Sequence, residues 1–320
     1  MIKIGVVGVG YLGKHHLRCL EETDFDVTGI YDIDQALLSD RAGEYDLRAF
    51  KDFDALLEEC DAVDIVADTE AHYYLAKKAI EQGKHVFVEK PVTSTLEQAE
   101  DLEKLLSENK SLIFQVGHIE RFNPAFLSLE DVVLKPQFIE VHRLANYNER
   151  GTDVSVVMDI MIHDLDVLLS IVDAEVEEVN AKGVSLFSTT ADICNARIKF
   201  KNGCVANVTA SRISLKTMRK LRLFQEDAYI SMDFFKKESQ VIRLNENSEN
   251  LDMSIPVETA NGTKYMSIKT NNIENHNALL LELQEFHHSI VKSKKPKVGI
   301  KAATKAIRLA NRIEAAMTIE

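Results

Sequence analysis

The sequence predicts an α/β fold, with a doubly wound parallel sheet followed by an α/β domain whose sheet is open and mainly antiparallel. Up to residue 120, short β-branched runs alternate with segments of helical period, as in a parallel sheet covered by helices. Beyond Pro124, several strands follow one another between turn signals. The 320 residues exceed the roughly 100–200 residues of one domain, so two domains are expected, at 1–121 and 122–320.

The elements of the first domain follow from run length and period. Apolar runs too short for a helix predict strands at Ile2–Val9, Asp26–Tyr31, Val63–Ala67, His85–Val88 and Leu112–Val116. Helical periods between them predict helices at Tyr11–Glu22, Ala55–Cys60, His72–Gln82 and Leu96–Glu108. Gly83 is expected to end the third helix because glycine tolerates positive φ.

The second domain has a different pattern of strand and helix signals. Strands are expected within residues 136–147 and 175–244, with turn signals at Gly183, Gly203 and the polar run Asn245–Asn250. Helical patterns predict one helix inside this region and two at the carboxyl end, at Met158–Val172, His276–Lys292 and Lys301–Met317.

Composition and charge exclude several classes of protein. The 45% apolar and 28% charged fractions are typical of a globular chain, and the net charge of −13 with scattered basic residues argues against nucleic acid. The four cysteines show no CxxC spacing and are interpreted as core thiols, and no ligand spacing indicates a metal. Neither a signal peptide nor an apolar run of ~20 residues is present, so a cytoplasmic protein without membrane contact is expected.

A glycine pattern joins the first strand to the first helix and indicates a dinucleotide site. The GxGxxG motif permits a tight turn, close approach of a pyrophosphate and close helix packing, and its residues are Gly8, Gly10, Tyr11, Leu12 and Gly13. The helix amino terminus then offers N–H groups to phosphate. Asp32, about 20 residues on, can accept hydrogen bonds from both ribose hydroxyls and would repel a 2′-phosphate.

Alternatives to this interpretation remain. Glycine-rich turns occur in folds that bind no nucleotide, so the motif depends on its context. NAD is favoured, but NADP stays an alternative because Arg41 could fold back toward a phosphate. Asp34 fits equally well as the cap of a following helix.

A charged pair follows the strand at His85–Val88. Glu89 and Lys90 stand at the carboxyl end of that strand, where doubly wound folds bind ligands. Pro91 restricts Lys90 to extended conformations and permits a cis peptide bond, which would direct the ammonium group. The alternative is an exposed ion pair of little consequence.

These motifs together resemble the Gfo/Idh/MocA family of nicotinamide-dependent sugar dehydrogenases. The resemblance rests on the GxGxxG turn and on three further segments, His72 to Pro91, Gly117 to Pro124 and Asp159 to Asp164. It implies a Rossmann domain, a second α/β domain with an open antiparallel sheet, and a loop after the strand at Val63–Ala67 that contacts the cofactor. Members usually carry Thr-Pro in that loop, whereas this chain has Ala67, Asp68 and, further on, His72.

Catalysis is assigned to three residues. Asp159 and His163 are four residues apart on a predicted apolar helix, so they are expected to share one face. In the alternative interpretation, Asp159 caps the helix and His163 is a core histidine. Oxidising an alcohol requires a hydride to leave carbon and a proton to leave oxygen, and histidine can take the proton near neutral pH. The expected base is His163, while Lys90 is expected to stabilise the alkoxide and Asp159 to orient a substrate hydroxyl or His163. The resemblance implies the same three residues. Members of the family differ on whether the lysine or the histidine removes the proton.

Substrate and assembly are the last expectations. Arg121 and Asn123 are candidates for binding hydroxyls or phosphate; alternatively they form an ion pair and a helix cap before Pro124. The string His118 to Pro124 resembles members that act at carbon 3 of UDP-N-acetylglucosamine. Further candidate contacts are Tyr147, Arg150 and Arg212, whereas Asp164 and Asp166 are interpreted as supporting or surface groups.

The expected protein is thus an NAD-dependent dehydrogenase of a sugar, cyclitol or nucleotide sugar. It is expected to form a homodimer or homotetramer through the open sheet, because uncovered sheet faces tend to be covered by a partner. Two alternatives remain, a reductase of a non-sugar ligand on the same fold and a regulatory protein that binds the dinucleotide without turnover.

Overall fold

A computed structural model describes residues 1–147, 154–246, 254–260, 262–272 and 276–319. The chain divides into two compact units. One comprises Met1–Phe122 with Asn277–Arg308, and the other Asn123–His276 with Leu309–Glu320. The division into domains 1–121 and 122–320 stays a prediction.

The first unit contains a parallel sheet. Its strands are β1 (Ile2–Val7), β2 (Phe25–Tyr31), β3 (Ala49–Phe50), β4 (Ala62–Ile65), β5 (His85–Glu89) and β6 (Phe114–Gly117). In the described part of the chain they lie in the order β3-β2-β1-β4-β5-β6, all parallel. The order reverses beside β1, which is where doubly wound sheets bind ligands outside the carboxyl ends of their strands.

Helices connect these strands. They are α1 (Tyr11–Leu20), α2 (Gln35–Tyr45), α3 (Phe53–Glu59), α4 (Thr69–Glu81) and α5 (Leu96–Glu108). Gly83 has φ +72° directly after α4, which confirms its predicted role as a helix stop. The short β3 and α2 were not predicted; α2 buries only Leu38, so its sequence carries little helical periodicity.

The second unit contains a mixed sheet that is mainly antiparallel. Its strands are β7 (Phe138–Leu144), β8 (Val176–Val184), β9 (Ile193–Phe200), β10 (Val205–Ser211), β11 (Met218–Phe224), β12 (Tyr229–Asp233), β13 (Glu238–Asn245), β14 (Ser254–Thr259), β15 (Gly262–Asn272) and β16 (Met317–Ile319). Among described residues the order is β14-β15-β13-β12-β11-β7-β10-β9-β8-β16, and only the pairs β7–β10 and β8–β16 are parallel. The predicted fold class is confirmed.

Helical segments pack on this sheet. A short helix, α6 (Pro124–Leu127), contacts strands at one end of it, and a π-helical segment, Val157–Met161, contacts β10 and leads into α7 (Ile162–Ile171). Two helices toward the carboxyl end are assigned differently: α8 (Ala278–Lys292) belongs to the first unit, and α9 (Ile300–Ala316) is divided between the two units after Arg308. The single predicted helix Met158–Val172 is therefore correct in place, but its first turn is wider than an α-helical turn.

Candidate functional site

The turn between β1 and α1 has the geometry that the glycine motif predicted. Gly8 has φ +88°, and a Cβ atom there would lie 2.5 Å from the backbone nitrogen of Ala67. At Gly13 a Cβ would lie 2.1 Å from the carbonyl oxygen of Gly8. Both positions therefore exclude any side chain, which is the packing that the first and third glycines of the motif provide.

The second glycine of the motif faces open space. A Cβ at Gly10 would meet no protein atom within 4 Å, and Gly10 is the N-cap of α1. Tyr11 and Leu12, in the first turn of the helix, are 72% and 51% exposed. We call the turn from Gly8 to Gly13 the glycine cradle. It fits the pyrophosphate of a dinucleotide, because a helix amino terminus presents N–H groups and partial positive charge.

Asp32 is fixed at the end of β2, beside the turn. Its Oδ2 accepts a hydrogen bond from the backbone N–H of Val9 (2.8 Å), and its Oδ1 accepts one from Asp34 (2.9 Å). Each carboxylate oxygen has a second lone pair with which to accept from a ribose hydroxyl. Arg41 donates to the carbonyl oxygen of Val9 and to Glu44, so its guanidinium is already engaged.

Asp34 caps α2, as the alternative interpretation of that residue held. Its Oδ1 accepts hydrogen bonds from the backbone N–H groups of Ala36 (3.0 Å) and Leu37 (3.1 Å). Two of the first amide groups of α2 are thereby satisfied by one carboxylate.

His72 connects the loop after β4 to the turn after β5. Its Nδ1 lies 2.8 Å from the carbonyl oxygen of Pro91, and its Nε2 lies 2.8 Å from that of Ala67. Burial lowers the pKa of His72, and the two carbonyl oxygens oppose that shift because they accept hydrogen bonds only from protonated nitrogens. Asp68 is exposed at the N-cap of α4, where the helix dipole favours an acidic group.

Glu89 and Lys90 lie at the carboxyl end of β5. Lys90 is half-buried, and its peptide bond to Pro91 is cis. Glu89 is not the exposed ion-pair residue of the alternative interpretation. Its carboxylate is largely buried, accepts a hydrogen bond from the Lys90 backbone N–H (3.1 Å), and lies 3.3 Å from Nε2 of His16.

In the second unit, the predicted pair Asp159 and His163 spans a change of helix type. Asp159 belongs to the π-helical segment, His163 to the first turn of α7, and both are half-buried. The four-residue spacing on which the shared-face prediction relied assumes 3.6 residues per turn. A π-helical turn is wider than an α-helical turn, so the predicted spacing does not apply to this pair. Such turns occur frequently at functional sites.

The residue after His163 is anchored in the core. Asp164 and Arg143 are 1% and 4% exposed and form a bidentate ion pair, with distances of 2.7 Å and 2.9 Å. Asp166 is also buried, so the expectation that Asp164 and Asp166 could be surface groups is wrong. Arg143 was missed because its strand pattern of alternating polarity does not reveal which face is covered.

The candidate substrate residues have local roles that the structure describes. Asn123 is 8% exposed and caps α6 by accepting from the backbone N–H of Ala125 (3.0 Å), while its amide donates to Phe234 (3.1 Å). The helix-cap alternative is therefore present in the structure. Arg121 lies half-buried in a single 3₁₀ turn, and the substrate roles of both residues stay predictions.

Three further residues were candidate substrate contacts. The ring of Tyr147 packs at a tilt against that of Phe187, with ring centroids 5.2 Å apart. Arg212 is buried and donates to the carbonyl oxygen of Val154 (2.6 Å), so it supports a loop. Arg150 lies outside the described residues.

Comparison with known proteins identifies the family. A family model described as an oxidoreductase family with an NAD-binding Rossmann fold (GFO_IDH_MocA) matches residues 2–118, and a GFO/IDH/MocA C-terminal domain model matches residues 135–231. The UDP-N-acetylglucosamine 3-dehydrogenase of Acidithiobacillus ferrooxidans is 38% identical over 234 residues, which cover 73% of this chain and 74% of that protein. The chain belongs to the GFO/IDH/MocA oxidoreductase family. The predicted family and NAD as its cofactor are confirmed.

Solved structures agree with the family. The structure of UDP-N-acetylglucosamine 3-dehydrogenase GnnA from A. ferrooxidans aligns with a TM-score of 0.89 and 30% identity, over 99% of this chain and 97% of that one. A scyllo-inositol dehydrogenase from Lactobacillus casei with bound NAD(H) and scyllo-inositol aligns with a TM-score of 0.78, over 99% and 97% of the two chains. Its identity of 21% shows a shared fold alone.

Two kinds of feature are absent from the part of the chain that the structure describes. Within the described ranges no helix is long and apolar enough to span a membrane. In the same ranges no group of three or more His, Cys, Asp or Glu side chains is placed to hold a metal ion.

The charged groups behind Glu89 were not predicted from the sequence. His16 and Asp64 are 48 residues apart in the chain, and their side chains are hydrogen-bonded (2.9 Å) inside the first unit. A buried charge of this kind leaves one weak signal in a sequence, an acidic residue within an apolar strand. Asp64 provides that signal, because it stands in the otherwise apolar strand Ala62–Ile65.

Proposed function

We propose that this chain is an NAD-dependent dehydrogenase of a nucleotide sugar, with the 3-hydroxyl of UDP-N-acetylglucosamine as the first candidate. The observation that carries the proposal is the 38% identity to the A. ferrooxidans enzyme of that name over 73% of this chain. The open glycine cradle at Gly10 and the lysine at the carboxyl end of β5 support it, because a dehydrogenase needs both a dinucleotide site and a group that binds the reacting oxygen.

The proposal gives each candidate side chain a role. Bound NAD supplies the hydride acceptor. His163 removes the proton from the hydroxyl, and Lys90 donates a hydrogen bond to the same oxygen and stabilises the charge that develops on it. Asp159 orients a substrate hydroxyl or His163. Arg121 and Asn123 bind sugar hydroxyls or phosphate.

A substrate panel tests the proposed activity. The purified full-length chain is mixed with NAD and with UDP-N-acetylglucosamine, other UDP-sugars, inositols or free sugars, and the absorbance of NADH is followed. Turnover should be fastest with a UDP-sugar. His163→Asn should lower kcat by about 10²–10⁴-fold, the usual contribution of acid–base catalysis, and Lys90→Met by about 10²–10³-fold, the usual contribution of one donor to a developing oxyanion.

Matched controls separate chemistry from folding. Lys84 immediately precedes β5 and donates to the carbonyl oxygen of Cys60, whereas Lys90 follows the same strand. His142 lies within β7 and has no proposed role in the reaction. Lys84→Met and His142→Asn should therefore leave kcat within about threefold of the wild type. Fast oxidation of an inositol with NAD, or fast reduction of a non-sugar ketone with NADH in the reverse assay, would show that the substrate belongs to another class. NADH binding without turnover of any substrate would favour the regulatory alternative.

The residues proposed to hold NAD can be tested without catalysis. The Gly10→Ala methyl group would enter the space into which the pyrophosphate fits, while meeting no protein atom within 4 Å. NADH affinity should fall at least tenfold with little change in Tm. Gly43→Ala, a second open glycine in the same unit, should leave affinity unchanged. Equal affinities of Gly10→Ala and the wild type would contradict the assignment of this turn.

The proposed enzyme is a homodimer or homotetramer that associates through the uncovered face of the mixed sheet. Five apolar side chains pair directly across neighbouring strands on this face, namely Phe138, Phe224, Tyr229, Ile242 and Ile268. Phe224 and Ile268 are 37% and 43% exposed, and contiguous exposed apolar surface marks interaction sites. Light scattering should give a multiple of 36.0 kDa, and Phe224→Glu should shift the mass toward the monomer; a monomeric wild type would refute this proposal.

A cytoplasmic location completes the proposal. All four cysteines are free and buried, as expected in a compartment that keeps thiols reduced. Burial raises the pKa of Cys194 to about 12, so this thiol is unreactive. Fractionation of cells should recover the protein with cytoplasmic markers, and recovery with an extracellular fraction would contradict this.

A further inference from the structure

A buried charged cluster lies behind the Glu89–Lys90 turn. His16, on α1, has its Nδ1 2.9 Å from Oδ2 of Asp64 and its Nε2 3.3 Å from Oε1 of Glu89. The side chains of His16, Asp64 and Glu89 are 1%, 0% and 14% exposed. We call these three residues the His16 triad. The triad joins the helix of the glycine cradle to the strands β4 and β5.

The central histidine of the triad carries a positive charge. Each ring nitrogen faces a carboxylate oxygen, and a carboxylate only accepts, so both nitrogens donate. Burial alone would lower the pKa of His16, but the charges of Asp64 and Glu89 and the hydrogen bonds to them raise it well above its ordinary value. The pKa of Glu89 is lowered despite burial, chiefly by His16. Cys19, one turn along α1, is a neutral thiol whose pKa burial raises.

The carboxylate of Glu89 is held from three directions. His16 contacts Oε1, and the backbone N–H of Lys90 donates to Oε2 (3.1 Å). The third contact is Gly117, which pairs with Glu89 across β5 and β6 and where a Cβ would lie 2.7 Å from Oε1. Because the side chain of Glu89 binds the amide of the next residue, its position determines the direction of the backbone at Lys90.

Stability alone does not account for this triad. Burying charged groups costs solvation, and apolar residues of similar volume often stabilise a core equally well. A buried charged network can instead select one conformation, since its members are satisfied in only one arrangement. In this protein the network includes the backbone of Lys90, whose N–H donates a hydrogen bond to Glu89.

We propose that His16 is a positioning residue, which acts through Glu89 to hold Lys90 in one orientation. The inference rests on the proposed function only insofar as Lys90 is the residue that binds the reacting oxygen. Its physical consequence is independent of catalysis: without His16, the Glu89 carboxylate leaves its place beside Gly117 and the Lys90 backbone loses its fixed direction. Misplacing a catalytic group by about 1 Å can cost 10²-fold in rate.

Kinetics of three full-length variants test the proposal. His16→Gln can donate to one carboxylate but presents its carbonyl oxygen to the other. Gly117→Ala displaces Glu89 without changing any ionisable group. Both should lower kcat by about 10- to 100-fold and leave the Kd of NADH within about threefold. Leu20→Ala, which removes a core side chain of α1 that is 1% exposed, should lower Tm but retain the wild-type kcat.

A second measurement does not depend on activity. Lysines are labelled by reductive methylation with carbon-13, and the Lys90 resonance is assigned with Lys90→Arg. In His16→Gln and Gly117→Ala this resonance should shift or broaden, whereas in Leu20→Ala it should keep its wild-type position. If the wild type turned over no substrate, the proposed function would fail, and the Lys90 resonance would still decide the role of His16.

Three results would overturn the proposal. The first is an unchanged Lys90 resonance in Gly117→Ala and in folded His16→Gln. The second is a wild-type kcat in both variants. The third is a loss of kcat that Leu20→Ala reproduces at equal loss of Tm, because His16 would then serve folding alone. If His16→Gln fails to fold, Gly117→Ala alone decides.

Discussion

The segments that carry the proposed catalytic residues Lys90 and His163 are both anchored by buried ion pairs, but the chemistry of the two anchors differs. In the first unit, the His16 triad holds the turn at Lys90. In the second unit, Arg143 and Asp164 hold the first turn of α7, next to His163. Arginine stays charged at every accessible pH, whereas histidine does not. On the alkaline side of neutrality, the anchor at Lys90 should therefore respond to pH, whereas the arginine anchor should not.

The largest expected effect comes from breaking the arginine anchor. Arg143→Met leaves the carboxylate of Asp164 buried without its cation, which should cost about 3–5 kcal/mol of the free energy of unfolding. Denaturant titration measures this loss. The double variant Arg143→Met with Asp164→Leu removes both charges and should recover most of it. A loss below about 1 kcal/mol in the single variant would show that Arg143 is not an anchor.

The second effect distinguishes the two anchors by pH. Because the pKa of His16 is raised in the folded protein, its stabilisation is complete below the ordinary value of 6.5 and is lost as the pH rises through the folded-state pKa. Because the pKa of Glu89 is lowered, its stabilisation is present above the ordinary value of 4.5 and is lost as the pH falls through the folded-state pKa. The triad should therefore be weakened on the alkaline side of neutrality.

Denaturant titrations at several pH values check this prediction. Above pH 6.5 the free energy of unfolding of the wild type should fall toward that of His16→Gln. The total fall should be about 1.4 kcal/mol for each pH unit that separates the folded-state pKa of His16 from its ordinary value of 6.5. The difference between the wild type and Arg143→Met should stay constant over the same range. Parallel curves for the wild type and His16→Gln would mean that His16 is not charged in the folded protein.

The smallest effect concerns helix caps, one in each unit. Asp34→Ala and Asn123→Ala should each cost about 1 kcal/mol, because each removes the side-chain oxygen that accepts from a first-turn N–H. Asn123→Asp retains that acceptor and loses only the amide that donates to Phe234. If Asn123 also binds substrate, KM should rise in both Asn123 variants and remain unchanged in Asp34→Ala. Unchanged KM in all three would limit Asn123 to its cap.

Much of the fold could be predicted because it depends on local patterns. The helix Leu96–Glu108 has the predicted bounds, since its amphipathic period is a local pattern in the chain. The glycine turn was predictable because its motif lies within six residues. Its tertiary reason was not visible, since a Cβ at Gly8 would meet the backbone of the distant Ala67, whereas Gly13 is constrained by Gly8 within the turn. Helix α2 was not predicted because Leu38 is its one fully buried residue, so its helical period is weak.

The anchors of the candidate site could not be predicted in the same way. His16 meets Asp64 across 48 residues, and Arg143 meets Asp164 across 21 residues and two different elements. Sequence spacing carries no information about such pairs until the sheet order and the buried faces are known. The π-helical turn at Asp159 is another example, because the expected spacing assumed a regular α-helix.

The sequence by itself determined which segments become strands, helices and phosphate-binding turn, and through its motifs it determined the family. Those properties depend on the conformational preferences and polarity of neighbouring residues, which act before the chain is compact. Only the tertiary structure decided which charged side chains are buried together behind Lys90 and beside His163. A charge in a low-dielectric interior is stable only with a partner, and partners are assigned when the strands take their order in the sheet.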